Sequence, residues 1–453
     1  MKKFFMLFGA ACLVSSIASA QLRATDQTGV NVFETPKTDI QFNGPHVGFG
    51  GSIAMPYIAL THSNNVTEQD PALNSQALFK NSPNFALSMA NLDINSYLAD
   101  GVTLKVTLYL ASKHHNETWV KGGYVQFDKI PFLHLDLLDE VMKFTTIKVG
   151  QMDVNYGDAH FRRSDGGNAI YNPFMENYIM DEFATEIGAE ADFNYNGIVA
   201  VASITNGNLN PSLAFIDTTK AANKYSNGLH NPSWIGKLGY DKQFTDNFRA
   251  RLTGSIYYTA GAGSNTLFGG DRSGSNYSAV LYNAAPGTGT AFNGRFNPAL
   301  SDRVSTVMGN LFLKYKPLDF LAIESFTTYE MAKGGKASEE LDRNATQIAS
   351  DLIFRFGKEE NFFIGGRYNN VSADVAKSNA VAAAAPQTIG QDLVPAYTIG
   401  INRIAIAGGW YVTKNMLAKI EYSNQTYNGV PNVNYILNGA EFHGISAEAV
   451  ISF

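Results

Sequence analysis

The feature that most constrains this chain is an alternation of apolar and polar residues, which recurs in segments of roughly 10 to 15 residues. In the segment 248–258 (FRARLTGSIYY), apolar or small residues occupy every second position, with polar residues between them. The last eight residues, SAEAVISF, repeat the pattern and end on Phe453. Because successive side chains of a strand point to opposite faces, each segment predicts a strand with lipid on one face and water on the other.

Strands are the only membrane-crossing elements that the sequence offers after its first twenty residues, because no later stretch of about 18 apolar residues occurs. The composition agrees: 45% hydrophobic, 12% aromatic and 16% charged residues describe segments that alternate rather than segments that are apolar throughout. About sixteen alternating segments can be counted. We therefore predict an all-β fold, a transmembrane antiparallel up-and-down β-barrel of about 16 strands.

The N-terminal residues 1–20 (MKKFFMLFGAACLVSSIASA) have the basic start, apolar core and small-residue ending of an export signal. We expect the mature chain to begin at Gln21. Cys12, the only cysteine, lies inside the apolar core. A lipoprotein cleaved there would keep a very short core, whereas cleavage before Gln21 leaves no cysteine for disulfides, thiolate metal sites or nucleophilic catalysis.

The connections between the segments alternate between short turns and long polar loops. The short turns are predicted near residues 99–101, 129–140, 194–196, 244–247, 317–319, 358–361 and 413–415. The long loops are predicted near residues 63–83, 113–117, 153–182, 206–230, 260–302, 331–343, 372–395 and 427–439. This asymmetry is typical of a single-chain outer-membrane barrel, whose short turns face the periplasm and whose long loops are extracellular. We assign residues 45–453 to the barrel and 21–44 to a periplasmic N-terminal segment.

The chain as a whole resembles the Gram-negative outer-membrane porins. The residues 150–182 (GQMDVNYGDAHFRRSDGGNAIYNPFMENYIMDE) are similar to the loop that many porins fold into the barrel, and Phe453 resembles the C-terminal aromatic residue that serves as an assembly signal. The resemblance implies a place in the outer membrane in contact with its lipid, insertion by the barrel-assembly machinery, and passage of small hydrophilic solutes or ions. It also implies a homotrimer, since trimers are common among such proteins. The chain also has a fainter similarity to phosphate-selective porins. Its sequence lacks the dense ladder of arginine and lysine residues that such selectivity requires.

The loop 153–182 is the predicted pore constriction, because selectivity depends on the charged groups where a pore is narrowest. Its glycines permit tight bends, and opposed acidic and basic groups there would create a transverse field. The predicted constriction residues are Asp158, His160, Arg162, Arg163 and Asp165. The alternative is that the two arginines pair with the two aspartates and only hold a surface loop in shape.

Alternation also places charged side chains of both signs on the inner wall of the barrel. The predicted lumen-wall residues are Arg249, Arg251, Asp351, Arg355 and Arg367. Because inward acids and bases nearly balance, we expect weak selectivity; a one-residue bulge would send part of a strand to the other face. The alternative is that these arginines pair with neighbouring carboxylates and brace the wall.

Other function classes have weaker support in the sequence. Neither a G-x-S-x-G elbow nor an H-E-x-x-H motif occurs, so we expect no catalytic residues, metal site or cofactor. The net charge of −6, without a basic stripe, argues against nucleic-acid binding.

Two alternatives to a diffusion porin stay open. One is a plugged transporter of hydrophobic substrates, similar to the fatty-acid type, for which residues 21–44 are short and polar but could enter the barrel mouth. The other is an adhesion or assembly barrel acting through external loops such as 260–302.

Overall fold

The computed structural model of the protein describes residues 22–37, 41–66, 78, 80–86, 88–110, 118–164, 167–182, 184–209, 231–262, 265–269, 280–282, 294–336, 339, 341–375, 397–431 and 435–453. The strands in chain order are β1 (His46–Ser63), β2 (Asn84–Phe85), β3 (Met89–Ala99), β4 (Val102–Leu110), β5 (Trp119–Phe127), β6 (Thr145–Asp153), β7 (Thr185–Tyr195), β8 (Ile198–Thr205), β9 (Ser233–Thr245), β10 (Phe248–Thr259), β11 (Arg303–Leu318), β12 (Leu321–Gly335), β13 (Arg343–Phe356), β14 (Phe362–Val375), β15 (Tyr397–Thr413), β16 (Met416–Asn428) and β17 (Glu441–Ser452).

Within the described residues, sixteen of these strands form one closed antiparallel sheet. Closure occurs at β1, which pairs with β17 along one side and with β3 along the other. The predicted fold class, a transmembrane antiparallel barrel of about 16 strands, is confirmed. The two-residue strand β2, which pairs with β1 alone, was not predicted; two residues are too few to show an alternation.

Helices are few and short in the described part of the chain. The α-helix α1 (Asp136–Met142) and a 3₁₀ turn (Pro131–Leu133) occupy the longer connection predicted near 129–140. Further 3₁₀ turns span Gln27–Gly29, Ala159–Arg162 and Asn168–Ile170. Among the described residues, no helix is long and apolar enough to cross a membrane.

The alternation of the sequence appears in the structure as an outer and an inner face. On β10, Leu252 and Ile256 are 61% and 54% exposed on the outside, whereas Arg251 and Thr253 between them are buried inside the barrel. On β17, Ile445 faces outward and Glu448 lies buried in the interior. The outer surface is thus an apolar belt for lipid, and the polar residues point inward.

The C-terminus closes the barrel against β1. The backbone N–H of Phe453 donates to the carbonyl of Gly51 at 2.9 Å, and the Gly51 N–H donates back to the Phe453 carbonyl at 2.9 Å. A Cβ atom at Gly51 would lie 3.0 Å from the Phe453 ring, so glycine permits this close approach. The aromatic ring itself is 63% exposed.

The described part of the N-terminal segment lies inside the barrel. Residues 22–37, here called the N-terminal strap, enter it at the end with the short turns, the position that the sequence left open for residues 21–44 beside a periplasmic one. Phe33 is 2% exposed and packs on the inward Phe312 of β11, with 5.4 Å between ring centroids. The physical reason is that the inner wall offers this segment both an apolar contact and the buried ionic partners described below.

Candidate pore constriction and inner wall

The chain between β6 and β7, residues 154–184, is here called the inner loop. Its described residues, 154–164, 167–182 and 184, lie against the inner wall of the barrel. Wall side chains satisfy the loop backbone. The N–H of Ile179 donates to the amide oxygen of Asn369 at 2.7 Å, and the N–H of Met180 donates to that of Gln347 at 2.9 Å. The Lys419 ammonium donates to three loop carbonyls at 2.9–3.1 Å. A buried loop needs such partners, because an unpaired backbone group inside a protein is destabilising.

Asp158 is fully buried and attaches the first part of the inner loop to β9 and β10. Arg251 donates to both of its carboxylate oxygens at 2.8 Å, the Thr253 hydroxyl donates at 2.6 Å, and the Lys237 ammonium lies 3.0 Å away. Residues 251 and 253 act together because positions two apart on a strand share a face. Burial alone would raise the pKa of Asp158, but Arg251 and Lys237 lower it below the usual range, so the carboxylate is ionised.

The two loop arginines have separate partners. Arg162 donates to the side-chain oxygen of Asn31 in the strap, and its guanidinium lies 4.9 Å from the centroid of the Phe326 ring. Arg163 forms an ion pair with Asp181 at 2.7 Å. Both arginines are 4% exposed. Of the two aspartates that the sequence offered as partners for these arginines, Asp158 pairs with the wall instead. The pairing with Asp165 stays a prediction.

The remaining predicted constriction residues have different positions. His160 lies against Phe161, with 3.9 Å between ring centroids. Burial and the nearby charge of Lys237 lower the pKa of His160 well below its usual range, so its ring is neutral at pH 7. Asp165 lies outside the described residues.

All five predicted lumen-wall residues point into the barrel, and each forms an ion pair. Arg249 pairs with Asp241 at 2.7 Å, Arg355 pairs with Glu324 at 2.7 Å, and Arg367 pairs with Asp351 at 2.7 Å. Arg251 contacts Asp158, as described, and also Glu34 of the strap at 2.7 Å. Asn31 and Glu34 were not predicted as interior residues, because a short polar segment without periodicity carries no signal of its location.

The inner wall divides into two sectors of different exposure. We call the inner faces of β9–β17 the buried sector and those of β3–β7 the exposed sector. Four inward lysines show the contrast: the side chains of Lys237 and Lys419 are 0% exposed, whereas those of Lys105 and Lys148 are 28% and 22% exposed. In the exposed sector, Lys121 of β5 is an exception, with 3% of its surface exposed. In the buried sector, Arg249 and Lys314 are exceptions near the short turns, with side chains 25% and 27% exposed.

The exposed sector is polar and nearly balanced in charge. Its partly exposed inward residues are Asp93, Asn95, Lys105, Thr107, Tyr124, Lys148 and Asp192. Lys148 lies 2.9 Å from Glu190 and 2.7 Å from Asp192, and Lys105 lies 3.8 Å from Asp93. Polar side chains that are neither buried nor covered by the inner loop require water as their hydrogen-bond partner.

Comparisons with known proteins give a likeness of fold without a likeness of sequence. No protein-family model matches the chain. No curated protein matches it either. OprB of Pseudomonas putida is 9% identical over 90% of this chain and 94% of its own, with a TM-score of 0.50. OmpT of Vibrio cholerae is 10% identical over 91% of this chain and 99% of its own, with a TM-score of 0.46. An anion-selective porin of Comamonas acidovorans is 11% identical over 90% of this chain and 100% of its own, with a TM-score of 0.43.

These identities carry information on fold alone, and of the three likenesses the one to OprB is close enough to use. It agrees with the closed antiparallel sheet described above. The resemblance to outer-membrane porins is thus confirmed at the level of the fold, which is that of an outer-membrane barrel.

Proposed function

We propose that the protein is a non-enzymatic porin, through which small hydrophilic solutes or ions diffuse passively across the outer membrane. The observation that carries this proposal is the exposed sector, where charged and polar side chains such as Lys105 and Lys148 remain partly accessible inside a closed barrel. A hydrated lane along β3–β7 would accept hydrophilic solutes, and the inner loop would narrow it from the opposite side.

Selectivity in this lane is expected to be weak. Its two accessible lysines each have carboxylate neighbours on the same wall, so neither sign of charge dominates. A pore that prefers one sign of ion strongly needs a ring or patch of the other sign at its narrowest point. The loop arginines Arg162 and Arg163 would act on this lane as part of the loop's shape, since both are buried.

The partners of the barrel follow from its surface and its end. Outer-membrane lipid would cover the apolar belt, and the barrel-assembly machinery would recognise the exposed ring of Phe453.

We also propose a homotrimer; OmpT of Vibrio cholerae is described in a trimer form. Chemical cross-linking of the folded protein in detergent tests this, with a trimer band expected and a monomer band contrary to it.

Single-channel recording in a planar bilayer under a salt gradient tests the channel itself. We expect stable conductance steps with a reversal potential close to zero, as a weakly selective water-filled lane requires. A mock-refolded sample without protein is the control for detergent leaks. A barrel that migrates as folded on a gel but gives no steps would contradict the porin proposal.

A plugged transporter of hydrophobic substrates is the second candidate. It is favoured by an apolar cluster inside the barrel, which includes Leu267, Phe268, Val371, Ile399 and Ile401, and by the N-terminal strap in the lumen. Saturable binding of a fluorescent fatty acid to a folded but electrically silent barrel would establish this function in place of a porin.

A further inference from the structure

The N-terminal strap follows the inner wall at the end of the barrel with the short turns. Gln27 begins the path: its N–H donates to the Lys414 carbonyl in the β15–β16 turn, and its side chain donates to the Glu359 carbonyl in the β13–β14 turn, both at 2.8 Å. Asn31 then donates to Glu324 of β12 at 2.5 Å. Lys37 ends the path beside β5, where it donates to the Asp128 carbonyl at 2.6 Å. The strap therefore spans from the buried sector to the edge of the exposed sector.

The strap also holds the inner loop in place. Phe33 packs between Phe312 of the wall and Phe161 of the loop, with ring centroids 5.4 and 5.7 Å away. Arg23 donates to the carbonyl of Phe161 at 2.7 Å, and its guanidinium lies 3.6 Å from the centroid of the Tyr171 ring. One short segment thus contacts the wall and the loop at several separate points.

Glu34 is the acidic group that the strap contributes to the interior. Its side chain is 4% exposed, and its two oxygens lie 3.0 Å from the Lys237 ammonium and 2.7 Å from the Arg251 guanidinium. These same two cations also contact Asp158 of the inner loop. Two buried cations therefore meet two carboxylates from segments packed inside the barrel, one of them from the strap. Arg251 also lies 3.3 Å from Asp241 of the wall.

Without the strap, the inner wall beside it would be basic. Lys237, Arg249 and Arg251 lie side by side on β9 and β10, and the guanidiniums of Arg249 and Arg251 lie 5.6 and 4.4 Å from the Phe33 ring that covers them. Asp158 and Asp241 would remain as their partners. In the exposed sector, by contrast, the carboxylates that pair with Lys105 and Lys148 lie on the wall itself.

We propose that the N-terminal strap is a tethered lining of the pore, which confines solutes to the exposed sector, and that Glu34 is the strap residue that limits the preference for anions. With the strap in place, the basic surface of β9 and β10 is covered and neutralised. With Glu34 neutralised, Lys237, Arg249 and Arg251 keep only Asp158 and Asp241 as carboxylate partners, so a net positive charge lies beside the pore. With the strap removed, solutes also pass along this basic surface. In both cases the channel shifts its preference toward anions. This proposal rests on the proposed porin function for its conductance readout.

The first test compares Glu34→Gln with Asp26→Asn in planar bilayers. Each change removes one negative charge from the strap, but Asp26 faces Lys414 at 3.4 Å, whose side chain is 67% exposed and lies in a short turn. We expect Glu34→Gln to shift the anion-to-cation permeability ratio toward anions by a factor of about two or more, because it removes one of the carboxylates facing two buried cations. Asp26→Asn should keep the wild-type ratio. Equal ratios in Glu34→Gln and the wild type would overturn the proposal.

A second test does not depend on conduction. Apart from Cys12 the chain has no cysteine, so single cysteines can be labelled with a charged thiol reagent in the folded barrel. Phe312→Cys lies under Phe33 and should be labelled only when residues 22–37 are deleted, whereas Lys105→Cys in the exposed sector should be labelled with or without the strap. Labelling of Phe312→Cys in the full-length chain would overturn the proposal. If the wild type is electrically silent but this labelling pattern holds, the porin function fails while the covering role of the strap stands.

Discussion

The buried and exposed sectors of the inner wall are built from the same alternating pattern but have different surroundings. Lys237 and Lys419 of the buried sector have no exposed side-chain surface, whereas Lys105 and Lys148 of the exposed sector keep a quarter of theirs. All four occupy inward positions of regular strands. The difference teaches that alternation specifies which side chains point inward, while a second layer of chain decides which of them contact water.

The inner loop, which forms most of that second layer, packs where wall side chains can form hydrogen bonds with its backbone. Asn369 and Gln347 accept hydrogen bonds from the inner loop, and Lys419 donates to three of its carbonyls. In the exposed sector the charged residues pair with one another along neighbouring strands, such as Lys148 with Glu190. Paired groups in the buried sector also bind the loop: Arg367 pairs with Asp351 and in addition donates to the Glu176 carbonyl at 2.7 Å.

The largest expected effect is a difference in unfolding free energy between a variant in the buried sector and a variant in the exposed sector. Asp158→Ala removes a buried carboxylate from Lys237 and Arg251, and such a loss is expected to lower the free energy of unfolding by about 3 kcal/mol. Asp93→Ala in the exposed sector is the matched control. Its partner Lys105 is 3.8 Å away and 28% exposed, so the expected loss is below about 1 kcal/mol. Urea titration of the folded barrel in detergent measures both. Equal losses would mean that the sectors do not differ in burial.

The next effect is a change in reversal potential when charges in the exposed sector are removed. Neutralising Lys105 and Lys148 to Gln leaves Asp93, Glu190 and Asp192 on the exposed wall, so the reversal potential should shift toward cation preference. Lys333→Gln, on an exposed position of β12, is the control and should leave the reversal potential unchanged. An unchanged reversal potential in the double variant would show that ions pass elsewhere in the barrel.

The sequence predicted the wall of this barrel much better than its contents. Alternation is a repeated local signal, and it correctly placed Arg251 and Arg367 inside and Leu252 outside, because each strand has lipid on one face along most of its length. The strap has no such signal. Glu34 reaches partners on β9 and β10, some 200 residues away along the chain, through contacts that any acidic residue in the same place would make. The division of the wall into two sectors depends on such contacts and could not be read from spacing.

The smallest expected effect concerns how the inner loop responds to pH. Glu182 is buried near the end of the loop, where Gln347 donates to it at 3.4 Å. Burial, with Glu330 and Asp181 nearby, raises the pKa of Glu182 well above the usual value of a glutamate. The folded protein therefore keeps a proton that the unfolded chain loses above about pH 4.5, so stability falls as the pH rises from there toward the folded pKa.

Glu182→Gln should remove this dependence. A single group contributes at most about 1.4 kcal/mol per pH unit, so the unfolding temperature of the wild type should decrease modestly between pH 5 and 8, and that of the variant should decrease less. Asp153→Asn, at an exposed position just before the inner loop, should keep the wild-type slope. Parallel slopes in Glu182→Gln and the wild type would mean that the carboxyl is ionised in the folded barrel. The end of the inner loop would then contact water, and the boundary between the two sectors would lie closer to β12.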